Sequence, residues 1–343
     1  IDNGTSAIVD LAPLQDGVDD ADNDPSNEIE LPASGNTNDV LTWDGTEWVA
    51  QAITAGADAD WSIDGSGNMS NSNSGTVSTT SDVYINGLTV GRGSGNDPSN
   101  TSNGATALES NTAGSNNTAI GSIALQANTT GNNNTAIGYS SLADNTFGYN
   151  NQANGSYSLQ NNTTGNNNTA NGASSLRNNS TGIKNTANGS QALNSNTIGN
   201  HNTAMGYMSL TDNTTGNYNT ANGYMSLTNN TTGNYNAANG YMALQYNTTG
   251  GYNTANGNFA LRFNTEGQFN TANGSSSLQS NTTGNNNVAN GRNAGISNTQ
   301  GNLNTFIGYN ATGISGTLNN ATAIGANSSV ASDNSIQLGD AQI

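Results

Sequence analysis

The chain has 343 residues, no cysteine, 31% hydrophobic residues and a net charge of −18. Without cysteine it forms neither a disulfide nor a thiolate metal site, and no run has the length and apolarity of a transmembrane helix, so no membrane insertion is expected. The charge is uneven: residues 1–100 carry 17 acids against one base, Arg92, while residues 101–343 carry six against four, which leaves no basic stripe for DNA or RNA.

Residues 1–82 read as a first domain, an acidic β-hairpin and linker region. The chain starts at Ile1 with no basic, apolar leader, which points either to a leader already removed or to a fragment. From Asp16 to Glu30 it runs D-G-V-D-D-A-D-N-D-P-S-N-E-I-E. Asp20, Asp22 and Asp24 alternate as oxygen ligands do in calcium loops, with Glu28 following. The EF-hand spacing is not met, because the sixth position lacks glycine and the twelfth lacks glutamate. The stretch is thus either a Ca²⁺ site or a solvated acidic linker, and no other cofactor is implied. L-T-W-D-G-T-E-W-V predicts a hairpin turning at Asp44-Gly45, with Trp43 and Trp48 as a cross-strand or diagonal pair. Asp64-Gly65 suggests a second turn beyond Trp61, and residues 65–81 read as a Gly/Ser/Asn linker. Y-I-N-G-L-T-V-G-R-G-S-G-N, from Tyr84, leads into the repetitive part of the chain.

There a glycine recurs every 17 residues, from Gly104 through Gly121 and Gly138 to Gly325, with Gly87 extending the series upstream. A leucine keeps the same interval from Leu108 to Leu278, an asparagine from Asn117 to Asn304, and an alanine from Ala119 to Ala289. A fixed period means one unit stacked on itself. Seventeen residues are too few for two packed helices, and Asn, Gly, Thr and Ser are weak helix formers. The expected fold is therefore all-β: a parallel β-solenoid, or β-roll, with one turn per repeat. N-T-A-I-G and N-T-A-N-G read as one strand, x-[SA]-L after the glycine as a second, and N-T-T-G as a closing turn whose glycine takes a positive φ.

Stacking in register brings like residues about 4.8 Å apart. Amide ladders are expected through Asn117, Asn134 and Asn151, and through Asn128, Asn145 and Asn162. The residue before the phase glycine is Ile120, Ile137, Ile307 and Ile324 near the ends, Met205 once, and asparagine elsewhere. Asn154, Asn171, Asn188, Asn222, Asn239, Asn256, Asn273 and Asn290 take what reads as an inward strand position, satisfied along the axis. Each coil offers little apolar surface for the backbone it must order. Several chains side by side are therefore expected, most simply three, with residues such as Ala221 or Ser226 in contacts within or between them. The shaft spans 83–326, and 327–343 forms a last coil, since the Leu rank ends at Leu278, Gly313 and Gly316 suggest a break, and Gly325 to Gly339 shortens the spacing to 14.

That last segment, A-I-G-A-N-S-S-V-A-S-D-N-S-I-Q-L-G, is similar to the 14-residue repeat in head domains of trimeric autotransporter adhesins. The N-N-T-A-I-G-Y-x-[SA]-L-x-x-N-T-T-G repeats, the leading I-N-G-L-T-V-G-R-G and the final N-S-I-Q-L-G resemble tail-fibre and tailspike-type proteins, which often end in a cleavable C-terminal intramolecular chaperone. The acidic and Trp-bearing segments resemble those upstream of such repeats in surface proteins of marine and gliding-type bacteria. The resemblance implies a left-handed β-roll, a homotrimer and an extracellular place on a virion, an injection device or a cell. The expected function is a structural and adhesive fibre shaft presenting a receptor-binding surface. The alternative is a bacterial adhesin or filament subunit without a phage-like particle.

Local departures from the repeat mark candidate sites. Tyr207, Tyr224 and Tyr241 share one phase, followed by Met208, Met225 and Met242. Tyr218, Tyr235, Tyr252 and Phe269 share another. If outward, they form a stripe for a host-surface glycan or protein receptor; otherwise they fill grooves between coils or chains. Catalysis has little support, because Glu109, Asp144, Asp212 and Glu266 are scattered, His201 is the single histidine, and no carboxylate pair or triad emerges. Thr129, Thr163, Thr214, Thr231 and Thr248 suggest an ice-binding array. Each has an adjacent threonine instead of the T-x-T spacing that keeps two side chains on one face of a strand.

Overall fold

The computed structural model describes residues 39–43, 48–52, 61–63, 69–71, 83–85, 88–95 and 97–340, with side chains from residue 90 onward. The chain divides into two units, 1–78 and 79–343. In the first, β1 (Asp39–Trp43) pairs antiparallel with β2 (Trp48–Ala52) in a register that sets Trp43 opposite Trp48. β3 (Trp61–Ile63) pairs antiparallel with β4 (Met69–Asn71), so part of the segment expected as linker is strand. The turns expected at Asp44-Gly45 and Asp64-Gly65 lie outside the described residues, as do Asp20, Asp22, Asp24 and Glu28.

The second unit is a parallel β-solenoid, and no helix occurs among the described residues. It opens with an antiparallel cap. β5 (Val83–Ile85) pairs with β6 (Leu88–Gly91), and β6 pairs antiparallel with β7 (Thr101–Asn103). The lead-in is thus a hairpin laid on the first coil, and the parallel ladder begins at β7. From there, β8 (Thr118–Ile120), β9 (Thr135–Ile137), β10 (Gln152–Asn154) and their successors to β19 (Thr305–Ile307) follow at 17-residue intervals, each in parallel register with the next. After β20 (Thr312–Gly313) come β21 (Thr322–Ile324), β22 (Ser329–Val330) and β23 (Ile336–Leu338). β20 pairs with β22, and Thr322 faces Ile336, so the last coil is 14 residues long.

Each coil has one three-residue strand whose central residue points inward. Ala119, Ala136, Ala153 and their successors are 0% exposed. The flanking residues therefore point out, as the two-residue period of a strand requires. This corrects the expected buried asparagine rank: Asn154, Asn188, Asn222, Asn239, Asn256 and Asn290 are exposed, and Asn171 and Asn273 are half-buried. Axial pairing survives on the outside, where Asn239 Nδ2 donates to Asn256 Oδ1 at 2.8 Å and Asn256 Nδ2 to Asn273 Oδ1 at 2.9 Å.

The segment expected as a second strand is a turn. Leu210 and Leu227 have φ of 53°, and Met208 and Met225 have φ of 52° and 51°. L-residues avoid this left-handed region. Two things hold them there. The leucines from Leu108 to Leu278 are wholly buried, and the backbone stays bonded across coils, with Leu227 N–H donating to Ala243 O at 2.9 Å and Met225 N–H to Tyr207 O at 3.0 Å. Turn residues thus take part in the axial ladder without being strand.

The other two buried ranks are the expected amide ladders. Asn236 N–H donates to Asn219 Oδ1 at 3.0 Å, and Asn247 Nδ2 to Asn230 Oδ1 at 2.8 Å. The two ladders share an acceptor, since Asn236 Nδ2 and Asn247 Nδ2 both donate to Gly250 O at 2.9 Å. That explains the glycine of N-T-T-G. Gly250 is not left-handed, contrary to expectation. It is small because a Cβ there would lie 2.5 Å from both Asn247 Oδ1 and Gly267 O. Among the described residues no buried side-chain nitrogen or oxygen lacks a partner. Ala221 and Ser226 are fully buried in the chain's own coils, with Ser226 Oγ bonded to Gly223 O at 3.1 Å.

The leucine rank ends for a packing reason. Gly295 stands at the next leucine position, and a Cβ there would meet Phe306 Cδ2 at 2.6 Å and Leu278 Cδ2 at 2.9 Å. Phe306 replaces the inward alanine of its strand and is 1% exposed. The ring occupies the volume that a leucine side chain fills in other coils. Phe306→Ala is expected to cost about 3 kcal/mol by cavity formation, and Gly295→Leu to be destabilising by overpacking. The double variant restores the ordinary coil, so urea melts should give it a smaller loss than the sum of the two. Additive losses would refute the compensation.

Candidate functional site

The aromatic departures from the repeat lie on the surface. Tyr207, Tyr224 and Tyr241 directly follow phase glycines and are 41–44% exposed; Tyr218, Tyr235, Tyr252 and Phe269 sit in the N-x-N turn and are 48–52% exposed. Each N-x-N ring rides on a left-handed residue, with φ of 57°, 58°, 59° and 57°. Backbone bonds to the preceding coil fix the register, with Tyr235 N–H donating to Asn217 O at 3.0 Å and Tyr252 N–H to Asn234 O at 2.9 Å.

The rings form two separate stacks. Tyr218–Tyr235, Tyr235–Tyr252 and Tyr252–Phe269 have centroids 4.9, 4.8 and 4.9 Å apart and planes within 13° of parallel. His201 heads this column, 4.8 Å from Tyr218 and inclined by 8°. Tyr207–Tyr224 and Tyr224–Tyr241 stack at 5.5 and 5.3 Å. Tyr241 then meets Phe259 edge-on at 5.3 Å. Because ring faces turn toward neighbouring rings, the columns offer solvent mainly ring edges and the phenol ends of tyrosine. Met208, Met225 and Met242 are half-buried beside the second column.

A third cluster lies outside the two phases that the sequence singles out. Tyr246 and Phe263 stack at 5.5 Å. The Arg262 guanidinium lies 5.1 Å from the centroids of Phe259 and Phe263 and 5.7 Å from that of Tyr246, while its Nε donates to Gln245 Oε1 at 2.9 Å. This brings one cation to the end of the Tyr207 column. The signal was present, since Tyr246 and Phe263 are 17 residues apart, as are His201 and Tyr218.

Glu109, Asp144, Asp212 and Glu266 remain on separate coils. Glu109 accepts from Gln126 Nε2 at 2.8 Å, and burial pushes the Asp212 carboxyl above its ordinary pKa. Among the described residues no group of three or more His, Asp or Glu side chains is placed to hold a metal. The threonine rank is occupied internally: Thr129, Thr163, Thr214, Thr231 and Thr248 each donate Oγ1–H to a carbonyl of the next coil at 3.0–3.1 Å. Comparison with family models, curated proteins and solved structures finds no match to this chain.

Proposed function

We propose that this chain is the shaft of an extracellular adhesive fibre, carrying a receptor-contact surface on the aromatic columns between Tyr207 and Phe269. The observation that carries this reading is a contrast within one array. The coils are built from the same buried Ala, Leu and Asn ranks, which suits a stiff spacer, whereas exposed aromatic rings gather on a few successive coils. The shaft does not need tyrosine at the Tyr207 phase, because Ser122, Ser156 and Ala173 hold it elsewhere. Edges and phenol groups suit a hydroxyl-rich glycan or a protein surface. We further propose a homotrimer. Ile120, Ile137, Met205, Ile307 and Ile324 are exposed at strand ends, and burying them between chains removes apolar surface from water.

Electron microscopy of the native assembly is expected to show fibres, on a particle, on a cell or free; compact particles without fibres would overturn the reading. Light scattering that gives a stable monomer at micromolar concentration would remove the trimer. Replacing Tyr207, Tyr224 and Tyr241 by serine should leave the shaft folded and abolish attachment to its target surface. Unchanged attachment would exclude this column as the contact.

A further inference from the structure

We propose that the two tyrosine columns are sites of oxidative coupling, at which a one-electron oxidant such as a peroxidase with hydrogen peroxide joins neighbouring coils through dityrosine bonds. The inference rests on ring geometry and is independent of the adhesive reading.

Four tyrosine pairs meet the requirement. Tyr218–Tyr235 and Tyr235–Tyr252 lie 4.9 and 4.8 Å apart between centroids with planes at 2° and 13°. Tyr207–Tyr224 and Tyr224–Tyr241 lie 5.5 and 5.3 Å apart at 21° and 8°. All six rings are exposed, so an oxidant reaches them and the phenols can swing about their side-chain torsions. The backbone cannot let the partners separate, because Tyr235 and Tyr252 are each bonded to the coil before, and Met225 and Met242 bond to Tyr207 O and Tyr224 O. Two phenoxyl radicals generated on one column are therefore held together instead of meeting by diffusion.

The chemistry balances without any group from the protein beyond the phenols. Each phenol loses one electron and one proton to become a phenoxyl radical, with spin density at the ring carbons ortho to oxygen. Two such carbons form one C–C bond. Their two hydrogens then shift as protons to the phenol oxygens, restoring both aromatic rings. The pair has lost two hydrogens, and one hydrogen peroxide has become two waters.

Both columns end in rings that cannot couple this way. His201 and Phe269 bound the first, and Phe259 meets the last tyrosine of the second. The product is thus confined to the three tyrosines of each column. The molecule also carries its own controls. Tyr139 and Tyr157 are close, at 5.2 Å, but stand edge-on at 85°. Tyr149 and Tyr309 are exposed, and neither meets another tyrosine ring among the described residues.

The test treats the folded full chain, dilute, with peroxidase and limiting hydrogen peroxide. The expected result is dityrosine fluorescence that stays with the single-chain band on a denaturing gel. Peptide mass spectrometry should place it at Tyr218–Tyr235–Tyr252 and Tyr207–Tyr224–Tyr241, as linked peptides lighter by two hydrogens. Tyr235→Phe should reduce the first column's product to background and leave the second unchanged. That variant should fold, since Phe269 already occupies the same phase. Oxidation in denaturant should lose this selectivity. Fluorescence found only between chains, or coupling no greater in the columns than at Tyr139, Tyr149 and Tyr309, would overturn the proposal.

Discussion

Replacing Gly206 with alanine is expected to unfold the coil around it, at a cost of roughly 3–6 kcal/mol. Two independent causes add. Gly206 has φ of 127°, a conformation L side chains rarely adopt, and a Cβ built there would lie 2.6 Å from Gly223 O and 2.8 Å from Gly223 C. The obstacle is backbone of the next coil, which cannot rotate aside. Nor can the coils move apart freely, because Gly206 N–H donates to Asn188 O and Gly223 N–H to Met205 O, both at 2.8 Å. In a stacked array each coil contacts only its neighbours, so the damage falls on the interface between two segments. Hydrogen exchange should show lost protection around residues 205–224 with distant coils protected. Ser226→Ala is the matched control, since the repeat has alanine at this position in Ala243; its cost should stay within about 1 kcal/mol. An unchanged melting temperature for Gly206→Ala would refute the close-approach argument.

The period made the architecture legible because it constrains every coil at once. Seventeen residues bearing one invariant glycine, one leucine and two asparagines leave little choice but a single β-coil, and all four ranks are buried or closely packed as that requires. Strand parity was not legible. T-A-N is three residues long and can face the core with its centre or with its ends. Isoleucine at Ile120 and Ile137 favoured the ends on hydrophobicity alone, but the interior is only wide enough for alanine opposite the leucine and amide ranks, so isoleucine and asparagine lie outside. The x-[SA]-L segment departs from its expected strand for a related reason. Its apolar alternation is that of a strand, yet Leu227 is reached through a left-handed turn, and hydropathy carries no information about the sign of φ. For the candidate site, the 17-residue phase predicted which aromatic rings would be neighbours. Whether they would show solvent their faces or their edges depends on side-chain torsions, which spacing does not encode. The Arg262 cluster joins residues of several phases, and a search along single ranks passes over it.

Parity also decides what a single charge does to this protein. Asn239→Asp and Asn247→Asp are the same chemical change eight residues apart. The first falls on an exposed residue, where water solvates the carboxylate, and its effect should be within about 1 kcal/mol. The second falls on a wholly buried ladder. Asn247 Nδ2 donates to Asn230 Oδ1 at 2.8 Å and to Gly250 O at 2.9 Å, while its Oδ1 accepts from Asn264 Nδ2 at 2.8 Å. A carboxylate keeps the acceptor and loses both donors, so two oxygens that received hydrogen bonds now face a negative charge with no cation near. The expected cost at neutral pH is roughly 3–5 kcal/mol. Burial raises the introduced carboxyl's pKa in the folded state above its unfolded value. Below the unfolded value both states hold the proton, and the neutral acid can still donate one hydrogen bond, so the variant is closest to the parent in acid. As pH rises from the unfolded pKa toward the folded one, the unfolded state releases the proton first and the variant loses stability, reaching its full deficit above the folded pKa. Denaturant melts of the parent and the two variants across this range should show the Asn247→Asp gap widening with pH while the Asn239→Asp gap stays small. A gap at Asn247 that is flat with pH, or equal to that at Asn239, would place the Asn247 side chain in water and overturn the buried ladder.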